Sequence, residues 1–287
     1  MSQFLNDMAQ FCRENNMNIY WIGAVENDSF EDKRISVVPA DNSTNIYSCA
    51  KVFTVTAVGL LVDRGLLSVD ERVCDILGDL CPSDMDPRWR NTTVDMVLRH
   101  RIGLPGGFLD IDVGDPRRFT TDYLTYMLKA PLIGDPDAEF IYTDAAYYLL
   151  SRIVELRAGK NMDDLLREYI YNPLGYREVG FNRCPRGHAM GATGLYIRAD
   201  DLAKLGALYM HGGEWKGQRI LSQAWVDTVL SRPYELGPID RNGSFAKGGM
   251  YGQMLMVVPS KGRSVAWEGF VTDGESVHRL MHFVCTY

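Results

Sequence analysis

The sequence predicts an α+β protein: one antiparallel β-sheet flanked by N- and C-terminal helices, with an all-helical lobe inserted between its strands. Three observations predict it. Strand-like runs occur near both ends, at MNIYWIGAV (17–25) and KRISVVP (33–39) and again within MYGQMLMVVPSKGRSVAWEG (250–269). Between about 66 and 180 the apolar residues recur at helical spacing, and that spacing returns in the tail, at Val277, Leu280, Met281 and Val284.

Taken in order, residues 2–15 form an amphipathic helix, and the polar turn ENDSFED joins the first two strands into a hairpin. After Ser48 the run KVFTVTAVGLLVDRG is apolar on nearly every side and closes on Gly65, as a buried helix with a glycine cap does. TTVDMVLRH, FTTDYLTYMLK and DAAYYLLSRIVELRAG follow as helices divided by Pro and Gly breaks. ADDLAKLGALYMHGG and SQAWVDTVLS read as two further helices, and a Pro-Ser-Lys-Gly turn separates the last two strands. Residues 1–65 and 190–287 are expected to form the sheet-containing lobe and 66–189 the helical lobe, together one catalytic unit.

The chain has 287 residues, 46% hydrophobic and 23% charged, enough to bury a sizeable core. A formal net charge of -7 and the absence of any Lys/Arg run exclude an electrostatic footprint for nucleic acid or an anionic membrane. The start MSQFLNDMAQFCRENN lacks a basic, apolar leader and no later stretch is apolar for a bilayer's width, so a cytoplasmic protein is expected unless an export signal was removed. Cys12, Cys49, Cys74, Cys81, Cys184 and Cys285 are scattered without C-x-x-C spacing and read as free buried thiols. His278 and His282 stand four apart without a third ligand and read as a surface pair, so neither metal nor cofactor is expected. No G-x-S-x-G elbow, phosphate loop or G-x-G-x-x-G fingerprint occurs.

Ser48-Cys49-Ala50-Lys51 places a hydroxyl and an amine at i and i+3, neighbours on a helix face. A serine hydroxyl is a weak nucleophile until a base takes its proton, and a lysine can be that base when burial or another cation lowers its pKa. Spacing alone is weak: a helix N-cap would also explain Ser48, and Ser244-Phe245-Ala246-Lys247 repeats the pattern.

Several ordered segments resemble the serine β-lactamase and penicillin-binding protein superfamily, especially its class C β-lactamase and esterase branch. NIYSCAKVFTVTAVGLLVDRGLLSVDERV is similar to that family's nucleophile helix and trailing G-x-L-x-L-D-x-x-V, and TTVDMVLRHRIGLPG to its L-L-x-H-x-S-G-L stretch. IYTDAAYYLLSRIVELRAGKNMDDLLREYIYNPLG resembles the second-motif helix with its P-L-G, and GATGLYIRADDLAKLGALYMHGGEWKGQRILS the G-G-L-x-S-T-A-x-D-L-A region. The same order implies a third motif on a late strand, which Lys247-Gly248-Gly249 fits. Trp267-Glu268-Gly269 is the rival, but after it there is no room for two more strands.

The resemblance implies roles. Ser48 attacks a carbonyl, Lys51 and Tyr142 move protons, and Lys247 orients them or a substrate carboxylate. Backbone N–H groups of Ser48 and Met250 would form the oxyanion hole, with Gly248 and Gly249 letting a ligand approach closely. One departure stands out: the family's Tyr-x-Asn reads Tyr142-Thr143-Asp144 here. Asp144 would hold Lys51 protonated and repel an anionic substrate, or simply cap the helix that stops at Gly159. The expectation is a serine hydrolase forming an acyl-enzyme on Ser48 and acting on a small ester or amide, without cofactor. A β-lactamase or DD-peptidase, and a non-catalytic ligand-binding descendant, are the alternatives.

Overall fold

The computed structural model describes residues 2–115 and 118–287. Helix α1 (Gln3–Glu14) leads into strands β1 (Ile19–Glu26), β2 (Asp32–Ser36) and β3 (Thr44–Asn45), and a 3-10 turn (Tyr47–Cys49) runs straight into α2 (Ala50–Val62). Next come α3 (Val73–Leu77), α4 (Val94–Leu98), α5 (Tyr123–Lys129), α6 (Asp144–Ala158) and α7 (Met162–Leu166). The chain continues through β4 (Gly180–Phe181), β5 (Leu195–Ile197), α8 (Ala199–Met210), β6 (Glu214–Trp215), β7 (Gln218–Arg219) and α9 (Gln223–Ser231). It ends with β8 (Gly237–Pro238), β9 (Phe245–Gly248), β10 (Met254–Val258), β11 (Arg263–Gly269) and α10 (Gly274–Thr286).

Two compact units result: residues 1–52, 168–180 and 195–287 in one, residues 53–167 and 181–194 in the other. This division differs from the expected one at 65/66 and 189/190. The reason lies in particular bonds. Within the second unit the Thr54 hydroxyl on α2 donates to the Gly191 carbonyl at 2.7 Å, and within the first Arg177 donates to Asp201 through its backbone N–H at 2.9 Å and to Asp200 through its guanidinium at 3.0 Å.

The first unit holds, among the described residues, a six-stranded sheet in the order β2-β1-β11-β10-β9-β8. Its strand pairs are antiparallel. Side chains alternate across the strands. Ile22, Ala24, Met254, Met256, Val265 and Trp267 join Phe4, Leu5 and Met8 of α1 and Leu280 and Val284 of α10 in one buried cluster, so the two terminal helices cover this face as the sequence implies. The opposite face is closed by α8, which the sequence reading identified as a helix without assigning it to the sheet. Small residues let it lie close: a Cβ on Gly206 would fall 2.3 Å from Ser264 Oγ, and one on Gly23 would fall 2.3 Å from the Asp200 nitrogen. The Ser264 hydroxyl donates to the Ala203 carbonyl at 2.7 Å. Acidic and basic residues disguise this helix as a surface one; inside the fold they are paired, Lys204 with Asp201 at 2.8 Å and Arg198 with Asp200 at 3.1 Å.

The second unit is built mainly of helices. Thr93 caps α4, Asp122 caps α5 and Asn161 caps α7, each accepting a backbone N–H in the first turn. Helix α6 stops at Gly159, whose φ of 66° suits glycine. Among the described residues no helix is long and apolar enough to cross a membrane. The cysteines are free, but only Cys12, Cys49 and Cys184 are buried; Cys74, Cys81 and Cys285 are half-buried. His278 and His282 are exposed on α10.

Candidate functional site

In the sheet unit the turn that carries Ser48 is fixed from several sides. The Ile46 N–H donates to the Leu195 carbonyl at 3.0 Å, and Asn45 Oδ1 accepts the Tyr47 N–H at 2.9 Å. Tyr47 sits in the left-handed region with φ 47°, a conformation costly for an aromatic residue and held here immediately before Ser48. Lys51 Nζ donates to Ser48 Oγ at 3.1 Å, and the lysine is 0% exposed on a helix that carries no other charged residue. Taking an ammonium out of water is expensive, so packing alone gives no reason for a lysine at this position. Burial pushes the Cys49 thiol up to about 12, although the charges of Lys247 and Lys51 act in the opposite direction.

Strand β9 packs beside this turn, with the Cys49 thiol donating to the Lys247 carbonyl oxygen at 3.1 Å. Lys247 thus lies on a late strand followed by two more, as the third-motif reading requires. Ser244-x-x-Lys247 enters that strand rather than a helix, where residues three apart face opposite sides, so the second copy lacks the geometry of the first. Glu235, which the sequence reading passed over, forms an ion pair with Lys247. Gly249 needs its missing side chain for the protein's own packing: a Cβ there would meet the Ile46 carbonyl oxygen at 2.6 Å and Gln253 Oε1 at 2.7 Å. At Gly248 the nearest atom would be the Met254 methyl at 3.4 Å, so no such constraint applies. Met250 follows in an exposed turn whose flanking N–H groups bond within it, Gly249 to the Gln253 carbonyl at 2.8 Å and Tyr251 to Gln253 Oε1 at 3.1 Å. A cavity of about 220 Å³ beside the Ser48 turn is lined by Asn45, Tyr47, Tyr196, Gln253 and Phe270.

The helical unit carries the second motif. Tyr142 is 38% exposed and stacks on His100, ring centroids 4.5 Å apart. His100 is buried, its Nδ1 accepts the Thr143 N–H at 3.3 Å, and its carbonyl accepts the Ile141 N–H at 3.0 Å. It therefore sets the conformation of the motif from within the same unit. It lies in the TTVDMVLRHRIGLPG stretch, where the family resemblance was the available signal. The N-cap of α6 is Thr143, whose Oγ1 accepts the Ala145 N–H at 3.3 Å, and Asp144 is the first helical residue. Capping therefore does not explain Asp144. Carboxylate oxygens of Asp110, Asp112 and Asp144 lie within 4.8 Å of one another, a set that could surround a cation. The Thr193 hydroxyl already donates to Asp112.

With these features in place, comparison with known proteins assigns the family: the chain belongs to the beta-lactamase family, which matches residues 27–275, and so to the superfamily of serine β-lactamases and penicillin-binding proteins. It is 35% identical over 144 residues to Penicillin-binding protein 4 of Amycolatopsis lactamdurans, covering 49% of this chain and 36% of that protein. It is 27% identical over 208 residues to the 6-aminohexanoate-dimer hydrolase of Paenarthrobacter ureafaciens, covering 67% of this chain and 51% of that one. The matches thus span about a third to a half of these relatives' length. The solved structure of EstCE1, a hydrolase with promiscuous acyltransferase activity, superposes with a TM-score of 0.75 at 15% identity, covering 99% of this chain and 98% of that one, and so shares the fold.

Proposed function

We propose that this protein is a serine hydrolase that forms an acyl-enzyme on Ser48 and acts on a small ester or amide. The observation that carries the reading is the buried Lys51, 0% exposed, with its Nζ 3.1 Å from Ser48 Oγ. Ser48 Oγ attacks the substrate carbonyl while its proton passes to Lys51 acting in its amine form, with Tyr142 assigned to the same relay on the strength of the second motif. The proton then goes to the leaving alcohol or amine, and water releases the acyl group by the reverse transfer. The N–H groups of Ser48 and Met250 are assigned to the developing oxyanion. The cavity beside the turn, with Tyr47, Tyr196 and Phe270 in its wall, suits a small substrate with an apolar part.

Relatives that hydrolyse an aminohexanoate dimer or bind penicillin support the class, and Penicillin-binding protein 4 keeps β-lactam or D-Ala-D-Ala chemistry as the second reading. The test is covalent. A fluorophosphonate should add one adduct, mapped by peptide mass spectrometry to Ser48, and Ser48→Ala should abolish both the adduct and p-nitrophenyl ester hydrolysis. Absence of an adduct, or an adduct on another residue, would sink the mechanism.

A further inference from the structure

Lys247 does not face the nucleophile turn as an isolated cation, because Glu235 is bound to it. The two side chains are 14% and 5% exposed, so the pair is largely withdrawn from water. Glu235 reaches this place at a cost: its φ is 66°, a left-handed conformation that a glutamate adopts reluctantly, and buried Tyr234 and Leu236 on either side anchor it. Its N–H donates to the Pro233 carbonyl at 2.7 Å, closing a tight turn that directs the segment into β8. The charges of Lys247, Lys51 and Glu235 all reach the Cys49 thiol, which places one carboxylate with two ammonium groups around the turn that carries Ser48.

We propose that Glu235 determines substrate class by occupying Lys247: the ammonium that could receive a substrate carboxylate is held by the protein's own, and the site selects acyl donors without a negative charge near the scissile bond. Three physical steps carry this. A desolvated ion pair is costly to break by removing one partner, so an anionic substrate must displace Glu235 or share Lys247 with it. Sharing brings two carboxylates onto one ammonium, and like charges in a desolvated site repel strongly. A neutral ester or amide incurs neither cost. The proposal rests on the assignment of Ser48 as nucleophile and narrows it to uncharged substrates.

The test compares kcat/KM for two matched esters, p-nitrophenyl butyrate and the mono-p-nitrophenyl ester of glutaric acid, which adds a carboxylate to a similar chain. The wild-type protein should favour the neutral ester, and Glu235→Gln should shift the neutral-to-anionic ratio toward the anionic one by about tenfold. Adding Lys247→Gln to that variant should remove the gain, since the freed ammonium is what receives the carboxylate. Glu235→Asp, which draws the carboxylate back by one methylene while keeping its charge, should move the ratio the same way by less and serves if the glutamine variant does not fold. A ratio unchanged in the folded variants, with Ser48 still labelled by the fluorophosphonate, overturns the role of Glu235 and leaves the hydrolase reading intact. Failure of Ser48 to label in the wild-type protein overturns both.

Discussion

In the sheet unit, charge is arranged in opposition: Lys247 is bound to Glu235, and the acidic residues of α8 are matched by Lys204, Arg198 and Arg177. Around the second motif of the helical unit, carboxylates of the same sign converge, Asp110 and Asp112 on Asp144. The difference separates two uses of charge. Opposite charges in low dielectric hold each other in a fixed geometry, whereas like charges held together by the fold create a local field. Lys247 in one unit is therefore set by pairing, and the second motif of the other by hydrogen bonds, the Thr143 N–H to His100 Nδ1 and the Thr193 hydroxyl to Asp112.

The largest expected effect comes from removing the buried cation of the sheet unit. Lys51→Met keeps the length and loses the charge, and kcat for a neutral ester should fall by about 10²–10⁴-fold, the range of a proton-transfer group. Thermal unfolding should show a melting temperature held or raised, because an ammonium no longer has to be kept out of water. A lysine present only for structure would give the opposite pattern, lost stability with retained turnover.

A second test probes one place where pairing in the sheet unit is incomplete. Glu268 is fully buried; the Thr44 hydroxyl donates to its Oε2 at 3.1 Å, and its Oε1 has no hydrogen-bond partner among the described residues. Burial holds its carboxyl well above the ordinary glutamate value of 4.5. The folded protein therefore keeps a proton that the unfolded chain has released, so the contribution of this group to stability is full below the ordinary value and is lost as pH rises through the folded one. Glu268→Gln should gain stability relative to wild type as pH rises, reaching about 1–3 kcal/mol, the cost of a buried group left unsatisfied. Denaturant titrations across the acid-to-neutral range measure the gain, and a difference independent of pH would contradict it.

The smallest expected effect belongs to the acidic cluster. Asp144→Asn removes one of three like charges and restores the family's amide, so the ratio of penicillin acylation to neutral ester acylation should move toward penicillin, by less than about tenfold. Stability should change little: Thr143 still caps α6, and the lost interaction of Asp144 with the helix N-terminus, about 0.3–1 kcal/mol, opposes the relief of repulsion. A ratio that stays level would leave the cluster without influence on substrate choice.

The strands near both ends, the buried run after Ser48 and the Gly159 stop were legible in the sequence because alternation, continuous apolarity and a left-handed glycine each follow from local stereochemistry. So was the family, since four ordered segments match its pattern. The spacing of Ser48 and Lys51 pointed to a contact but also fitted Ser244 and Lys247; a helical turn realises it in one place and a strand prevents it in the other.

Other features were decided only by tertiary structure. Glu235 stands twelve residues before Lys247, on the far side of a turn and a short strand, and nothing in its surroundings marks it as a partner for that ammonium. Asp110 and Asp112 meet Asp144 across more than thirty residues, and α8 hides its face on the sheet behind charges that look solvated until their partners arrive from elsewhere in the chain. Local sequence determines backbone conformation because its energies act between neighbours along the chain. Which charge meets which depends on distances that exist only once the strands and helices have packed.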